Sequence, residues 1–428
     1  MRILFVQPLY PPISKPFQRI AFKLGTSPAI TLQQLATITP PHHSIELINE
    51  PFQRLDFSQQ YDVVAISCIT PTAPRAYNIA DEFRRKGNTV VLGGYHPSAL
   101  PQEALSHADS VVIGEAENVW ATVLRDIEQK NLQPMYYSKT PADLKTMPPL
   151  RQGVGEFALL TARIEATRGC PMRCDYCSMS NLQIHWHVYR KKPVPLVVKE
   201  LQMIPQKWIN FCDASLTIDI EYSKSLFKAM KSLNKRFICY ANIHMVAKDE
   251  DFLNLAKEAG CTMFNIGFDS LNQASMNAVG KAVNQVNEYK TSIKKVNDHG
   301  LAVNGQFVFG FDNDTTQVFQ TATQTINNLD IDSPSVNILV PYPGTALYYR
   351  LDREGRILTK EWDQYTLDKV VFQPKKMSPD DLLDGAHQVW KTLNSTSNIL
   401  KRCLKAIKLG ISPTLMTIGQ NLYGKALY

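Results

Sequence analysis

No apolar run in this chain of 428 residues approaches the length of a bilayer span, and no secretory signal pattern is present. Cysteines are few, 8 in all, and do not form the regular framework of a disulfide-stapled secreted fold. Basic residues do not gather into a block interleaved with aromatics. The net charge of +7 includes isolated pairs such as Lys191-Lys192 and Lys375-Lys376, so no nucleic-acid partner is expected. These absences point to a globular cytoplasmic protein. With 44% hydrophobic and 20% charged residues, the chain is too long for one core and calls for two or three domains.

What is present is dominated by three thiols. Cys170, Cys174 and Cys177 lie in Arg168-Gly169-Cys170-Pro171-Met172-Arg173-Cys174-Asp175-Tyr176-Cys177, a C-x3-C-x2-C spacing. Three soft thiolates on one loop suit three corners of an iron–sulfur cube and leave the fourth iron open to a small molecule. Zinc, with His185 or His187 as a fourth ligand, is the competing reading, but zinc sites usually carry two paired knuckles and only one is here. Cys68, Cys212, Cys239, Cys261 and Cys403 lie mostly among apolar residues and read as small core side chains. The three-cysteine run resembles the signature of the radical S-adenosylmethionine (SAM) superfamily. That resemblance implies a 4Fe-4S cluster whose open iron chelates SAM, and reductive cleavage of SAM to a 5′-deoxyadenosyl radical.

The first 150 residues alternate strand and helix patterns. Apolar strands are expected over 1–8, 63–67, 89–92 and 110–113, with a helix over 73–86. This alternation predicts a doubly wound parallel sheet, whose ligands bind at the carboxyl ends of the strands. Ser67, Thr70, Thr72, Gly93, Gly94, His96, Gly114 and Glu115 belong to that edge. The stretches 62–73, Gly93-Gly94-Tyr95-His96-Pro97 and Val112-Ile113-Gly114-Glu115-Ala116-Glu117 resemble the cobalamin-binding domain that precedes many radical SAM barrels. Gly93 follows Ser67 by 26 positions, close to the spacing in cobalamin proteins generally. The Asp-x-His-x-x-Gly motif that ligates cobalt from below is absent, as it commonly is in this subgroup. The resemblance therefore implies cobalamin bound along the edge just named.

A proline-bearing linker over 136–155 divides a first domain, 1–135, from a second, 156–350. Strands are expected over 160–166, 208–212, 237–241, 263–267, 303–309 and 335–340, which fits a partial (β/α)6 barrel with the cysteine loop after its first strand. The resemblance then implies SAM contacts at the strand ends. Asp213 would face the methionine ammonium, Asn242 the ribose hydroxyls and Asp269 the ribose or methionine. Gln306 would lie beside the adenine, Pro341 would belong to a Pro-x-Pro-Gly-Thr loop, and Tyr176 would pack against the adenine. His244 reads as a satisfied histidine.

The segment 351–428 is expected to be small and mainly helical, with Ser378 as an N-cap and Pro379 at the first helical position. Leu400, Cys403, Leu404 and Ile407 recur at helical spacing between lysines, a pattern that packs on its own domain or lies on an anionic membrane. The family likeness implies cobalamin-dependent methylation of an unactivated carbon, with SAM used both as methyl source and as radical source. Ring formation or oxidation of a tetrapyrrole or lipid by the same radical start is the alternative within enzymes; a cobalamin or iron–sulfur sensor is the alternative outside them. The implied partners are a small, apolar substrate and a reducing donor such as flavodoxin or ferredoxin. No substrate-side acid or base is legible.

Overall fold

The computed structural model describes residues 1–10, 29–150, 160–181 and 188–427. Two all-parallel sheets of six strands dominate it. The first runs β2-β1-β3-β4-β5-β6, from β1 (Arg2–Gln7), β2 (Ser44–Asn49), β3 (Val63–Ser67), β4 (Thr89–Gly93), β5 (Ser110–Ile113) and β6 (Met135–Tyr137). In β1, Ile3, Leu4, Phe5 and Val6 are all buried. Leu4 and Val6 join the core on one face of the sheet, Ile3 and Phe5 the core on the other. Burial on both faces is why this strand reads as an unbroken apolar run. Strand β2 was not expected, because Ser-Ile-Glu-Leu-Ile-Asn is mixed in polarity and buries only Leu47, Ile48 and Asn49. Strand β6 adds an edge through Val111 opposite Met135, partly inside the stretch expected to be linker. Three residues after a proline carry too little periodicity to announce a strand. The linker's residues 151–155 lie outside the described residues.

The second sheet contains β7 (Thr161–Ile164), β10 (Trp208–Phe211), β11 (Arg236–Ala241), β12 (Cys261–Asp269), β13 (Ala302–Phe309) and β14 (Ser333–Ile338), ordered β7-β10-β11-β12-β13-β14. Between its first two strands, β8 (Thr167–Arg168) and β9 (Arg190–Lys191) form a short antiparallel ladder. Phe211, Phe237, Phe264, Phe268, Phe307 and Phe309 pack beneath the surrounding helices. The alternate positions carry Asn210, Asn265, Asn304 and Gln306 instead, so one face is a helix-covered core and the other a polar inner wall. This is the wall of a partial barrel.

The C-terminal segment touches both halves. Trp362, Tyr365 and Val371 complete the core under the first sheet, whereas Phe372, Met377, Leu382 and Ala386 join the core of the second. Ser378 caps the helix Pro379–Leu393 through a reciprocal pair: its Oγ accepts from Asp381 N–H, and its own N–H donates to the Asp381 carboxylate, both at 3.0 Å. The last helix, Ile411–Leu427, lies against β12, β13 and β14. With Ala406 and Leu409, its Met416 packs on Ile238, Met263 and Ala302.

Candidate active site

A cavity of about 600 Å³ lies where the carboxyl edges of the two sheets meet. From the first sheet it is bounded by Ser67, Thr72, Gly93, Gly94, Gly114 and Glu115, and from the second by Arg163, Glu165, Thr167, Arg168, Gly169 and Cys212. Ile66, Val91, Leu92, Val112 and Trp120 make much of the remaining wall apolar. Gly94 has φ +102°, and a Cβ there would sit 2.5 Å from the Cys68 carbonyl oxygen, so only glycine fits this turn. A Cβ at Gly93 would make only ordinary contacts, 3.7 Å or more. The edge is thus a run of nearly bare backbone over an apolar floor. Such a surface fits a large flat ring, and on this ground the edge suits cobalamin.

Two residues expected on that edge face elsewhere. His96 is fully buried; its Nδ1 lies 3.3 Å from Thr70 Oγ1 and its Nε2 3.2 Å from Glu103 Oε1. The indole of Trp362 and the hydroxyl of Tyr77 donate to the same Glu103 oxygen, at 2.8 and 3.0 Å. Burial would raise the Glu103 carboxyl, but His96, Tyr77 and Trp362 hold it below its ordinary value. The short helix Tyr95–Ala99 starts directly after Gly94 and turns His96 inward, under the join with the C-terminal segment. Thr70 and His96 therefore belong to a domain joint and do not line the cavity.

Glu115 also has a structural task. It binds Arg190 at 2.6 and 2.8 Å and accepts from Ala142 N–H at 2.6 Å. Arg168, at the root of the cysteine loop, binds Glu117 at 2.6 Å and Glu165 at 2.8 and 3.0 Å. Burial alone would raise Glu165 and lower Arg168; their mutual attraction reverses both shifts. These buried pairs tie the first sheet to the cysteine loop.

The loop itself leaves β8 through Gly169 at φ +87°. Asp175 N–H donates to the Val279 carbonyl at 3.2 Å, and Leu347 N–H to the Asp175 carbonyl at 2.9 Å. Cys174 is buried, Cys170 and Cys177 half-buried. Burial pushes the Cys170 thiol up and the Cys174 thiol up to about 12, with Lys281 pulling both the other way. Lys281 donates to the Gly267 carbonyl at 3.0 Å and forms an ion pair with Asp269; burial would lower it, but Asp269, Cys174 and Cys177 raise it. Tyr176 donates to Asp269 Oδ2 at 2.8 Å and stacks edge-on against Phe311. A half-buried cation beside the thiols favours their deprotonated form, which is the form that ligates metal. Among the described residues, the three-ligand group whose donor atoms all lie within 4.8 Å of one another is His42, His43 and Glu128; the cysteines do not form one. Three thiols carried on one loop beside Lys281 suit three corners of a cube. His185 and His187 lie outside the described residues.

The residues expected to hold SAM lie in the cysteine loop, on the inner wall or at the carboxyl ends of the second sheet's strands, and several have other engagements. Asp213 accepts from Thr167 N–H at 2.5 Å, Thr167 Oγ1 at 2.6 Å and Ala166 N–H at 3.2 Å. Burial nevertheless pushes its carboxyl up to about 7. It does not offer a free carboxylate to an ammonium group; it fixes the start of the cysteine loop. Asn242 Oδ1 caps the helix Ile243–Ala247, and its Nδ2 donates to Asn284 at 3.2 Å. His244 is buried; its Nε2 accepts from Gln285 N–H at 2.9 Å, and its Nδ1 lies 3.1 Å from the Glu288 carboxylate. Asp269 ends β12 at φ +59° and faces Tyr176 and Lys281. Gln306 is half-buried on the inner wall, and Pro341 is buried just beyond β14.

Four buried polar atoms on the inner wall have no hydrogen-bond partner among the described residues: Arg163 Nε and the Oδ1 atoms of Asn210, Asn265 and Asn304. Asn265 stands opposite Asn304 in register, and Asn210 opposite Arg163. An unpaired buried polar group costs about 1–3 kcal/mol, and four together on one wall mark a ligand surface. Sequence reasoning missed them and Lys281. One polar residue at the centre of each otherwise apolar strand was the available signal.

Comparison with known proteins agrees with this geometry. The B12 binding domain matches residues 49–124, the radical SAM superfamily residues 164–324, and a domain of unknown function, DUF4070, residues 345–417. Bacteriochlorophyllide d C-8(2)-methyltransferase of Chlorobaculum tepidum is 30% identical over 371 residues, 82% of each chain. The C-12(1)-methyltransferase of the same organism is 29% identical over 396 residues, 88% of this chain and 85% of its own. The fold matches that of the radical SAM methyltransferase TsrM from Kitasatospora setae, solved with cobalamin and a 4Fe-4S cluster, at TM-score 0.71 and 15% identity over 99% and 98% of the two chains. The chain belongs to the cobalamin-dependent radical SAM methyltransferases, enzymes that work with a 4Fe-4S cluster, SAM and cobalamin.

Proposed function

We propose that this enzyme methylates an unactivated carbon of a small molecule with a large apolar face, and that a tetrapyrrole is the best-fitting class. The observation that carries this reading is the similarity to two bacteriochlorophyllide methyltransferases over most of the chain, together with a cavity that would bring a cofactor held over Gly93 and Gly114 next to the root of the cysteine loop. The two bacteriochlorophyllide methyltransferases support the same class and favour methyl transfer over ring formation or oxidation.

In this reading Cys170, Cys174 and Cys177 hold the cluster, and Ser67, Thr72, Gly93, Gly94 and Gly114 cradle cobalamin. When bound, these groups and SAM supply the electron, the radical and the transferable methyl group. The chain's own residues position and shield. Lys281 keeps positive charge beside the thiolates, and Asp269 and Tyr176 hold Lys281 in place. Asp213 and Asn242 fix the loops that border the SAM site. Gln306, Asn265 and Asn304 offer amides to ligands along the inner wall, while Tyr176 and Pro341 give the adenine apolar surface. Glu115, Glu117, Arg168 and Arg190 close the joint and exclude water from the cavity. A low-potential donor of the flavodoxin or ferredoxin type in a reducing cytoplasm completes the requirement for electrons.

Anaerobic reconstitution with iron, sulfide and hydroxocobalamin tests the reading, followed by incubation with methyl-labelled SAM and candidate tetrapyrroles. About four irons and one cobalt retained per chain, with label in the product, is the expected result. Product formed without label sends the reading to ring formation or oxidation. SAM that stays intact under reduction sends it to a sensor.

A further inference from the structure

The helices Thr396–Ala406 and Ile411–Leu427 run antiparallel, joined through Gly410 at φ +103°. Arg402 Nε donates to Asn421 Oδ1 at 2.8 Å, and Lys425 Nζ to Thr396 Oγ1 at 3.1 Å. Of the row expected either to pack on its own domain or to lie on an anionic membrane, Leu400, Leu404 and Ile407 are exposed and Cys403 is half-buried. Ile399, Arg402, Ala406 and Leu409 are buried, whereas Leu400, Leu404, Ile407, Ile411, Leu415 and Leu422 are 55–82% exposed. Six of the fifteen strongly exposed large apolar side chains among the described residues thus fall within 400–422. Dispersed exposed leucines need no explanation, but a concentrated row does.

Charge identifies what covers it. No Asp or Glu follows Asp384, and the remaining 44 residues hold Lys391, Lys401, Arg402, Lys405, Lys408 and Lys425. Lys405 is neutralised by Asp330 and Asp332, and Arg402 is buried. Lys401 and Lys408 are exposed beside Leu400, Leu404 and Ile407, with no carboxylate partner among the described residues. A second copy of the chain would set two faces together whose unpaired charges, Lys401 and Lys408, are all positive. An anionic surface with an apolar interior answers both features at once. We propose that this helix pair docks the enzyme onto an anionic lipid bilayer, its apolar row entering the headgroup boundary and its lysines meeting lipid phosphates. No helix among the described residues is long and apolar enough to cross a membrane, so the contact is peripheral.

The test is co-sedimentation of the full, anaerobically reconstituted chain with vesicles. Wild type is expected to bind phosphatidylglycerol/phosphatidylcholine vesicles, to ignore pure phosphatidylcholine, and to release several-fold in 0.5 M salt. The variant Leu404→Ser/Ile407→Ser/Ile411→Ser alters side chains already in solvent, so its melting temperature and its iron and cobalt content should match wild type. Its vesicle partitioning should fall at least tenfold. Absence of wild-type binding overturns the proposal, as does equal binding by the variant. A wild-type dimer that becomes monomeric in the variant, by light scattering, assigns the face to self-association instead. None of these readouts depends on the substrate proposed above.

Discussion

The two six-stranded parallel sheets of this enzyme, one with its order reversed at β1 and the other in strict chain order, face each other across one cavity and build a ligand surface in opposite ways. The first removes side chains. Gly93, Gly94 and Gly114 leave backbone at the edge, and the polar residues nearby are drawn into the joint, as His96 and Thr70 are. The second keeps polar side chains and divides them. Those at the strand ends, Asp213 and Asn242, hold loops, while the Oδ1 atoms of Asn265 and Asn304 on the inner wall have no partner among the described residues. A flat, rigid cofactor needs an unobstructed floor, whereas a flexible one such as SAM needs hydrogen bonds from several directions.

This contrast can be broken most directly at the cluster. Cys174→Ala should reduce SAM cleavage by at least about a thousandfold, because a cube left with two thiolate ligands is not retained. If the two surfaces are separable, cobalt retention in the same sample stays near wild type; loss of both metals means that the cavity forms as one unit. Asp213 comes next. Its folded carboxyl keeps a proton up to about pH 7, while unfolded it does so only to about 3.8. The folded chain therefore binds more protons between these values, and this contribution to stability is present below pH 4 and lost as pH rises through 7. Integrated over the shift it amounts to at most about 4 kcal/mol. Asp213→Asn should flatten the fall in melting temperature between pH 5 and 7.5, measured on the apoprotein.

Smaller effects sharpen the picture of the glycine edge. Gly94→Ala should cost about 1–3 kcal/mol, from positive φ and the clash with the Cys68 carbonyl, whereas Gly93→Ala should leave the melting temperature nearly unchanged. A Gly93→Ala chain that keeps its stability and loses cobalt would place the ligand directly over that residue. His96→Gln should cost about 1 kcal/mol through its bond to Glu103 and leave cobalt retention intact. Cobalt loss at unchanged stability would return His96 to the ligand.

Much of this arrangement was legible in the chain before its structure. Strands such as Val63–Ser67 and Cys261–Asp269 are apolar enough to declare themselves, and the cysteine spacing carries its own chemistry. Side-chain direction was not legible. Position beside a strand end placed His96 on the cavity, but the helical turn after Gly94 rotates it away. The Lys281–Asp269 pair was missed because it joins a loop to a strand end with no motif, and Glu115–Arg190 because its partners are remote in sequence and meet only across the domain joint. The asparagines of the inner wall were hidden by reading strands for what they bury.

The division of Trp362, Tyr365 and Val371 to one core and Phe372, Met377 and Leu382 to the other has a consequence for how the protein is made. A domain ordinarily folds as it leaves the ribosome, before the next is synthesised. Here the first sheet lacks part of its hydrophobic floor until residue 371 has emerged, by which time the cysteine loop and the last five strands of the second sheet have emerged too. Neither half can complete its core until residues 362–386 are available, so the final packing of both is expected late in synthesis.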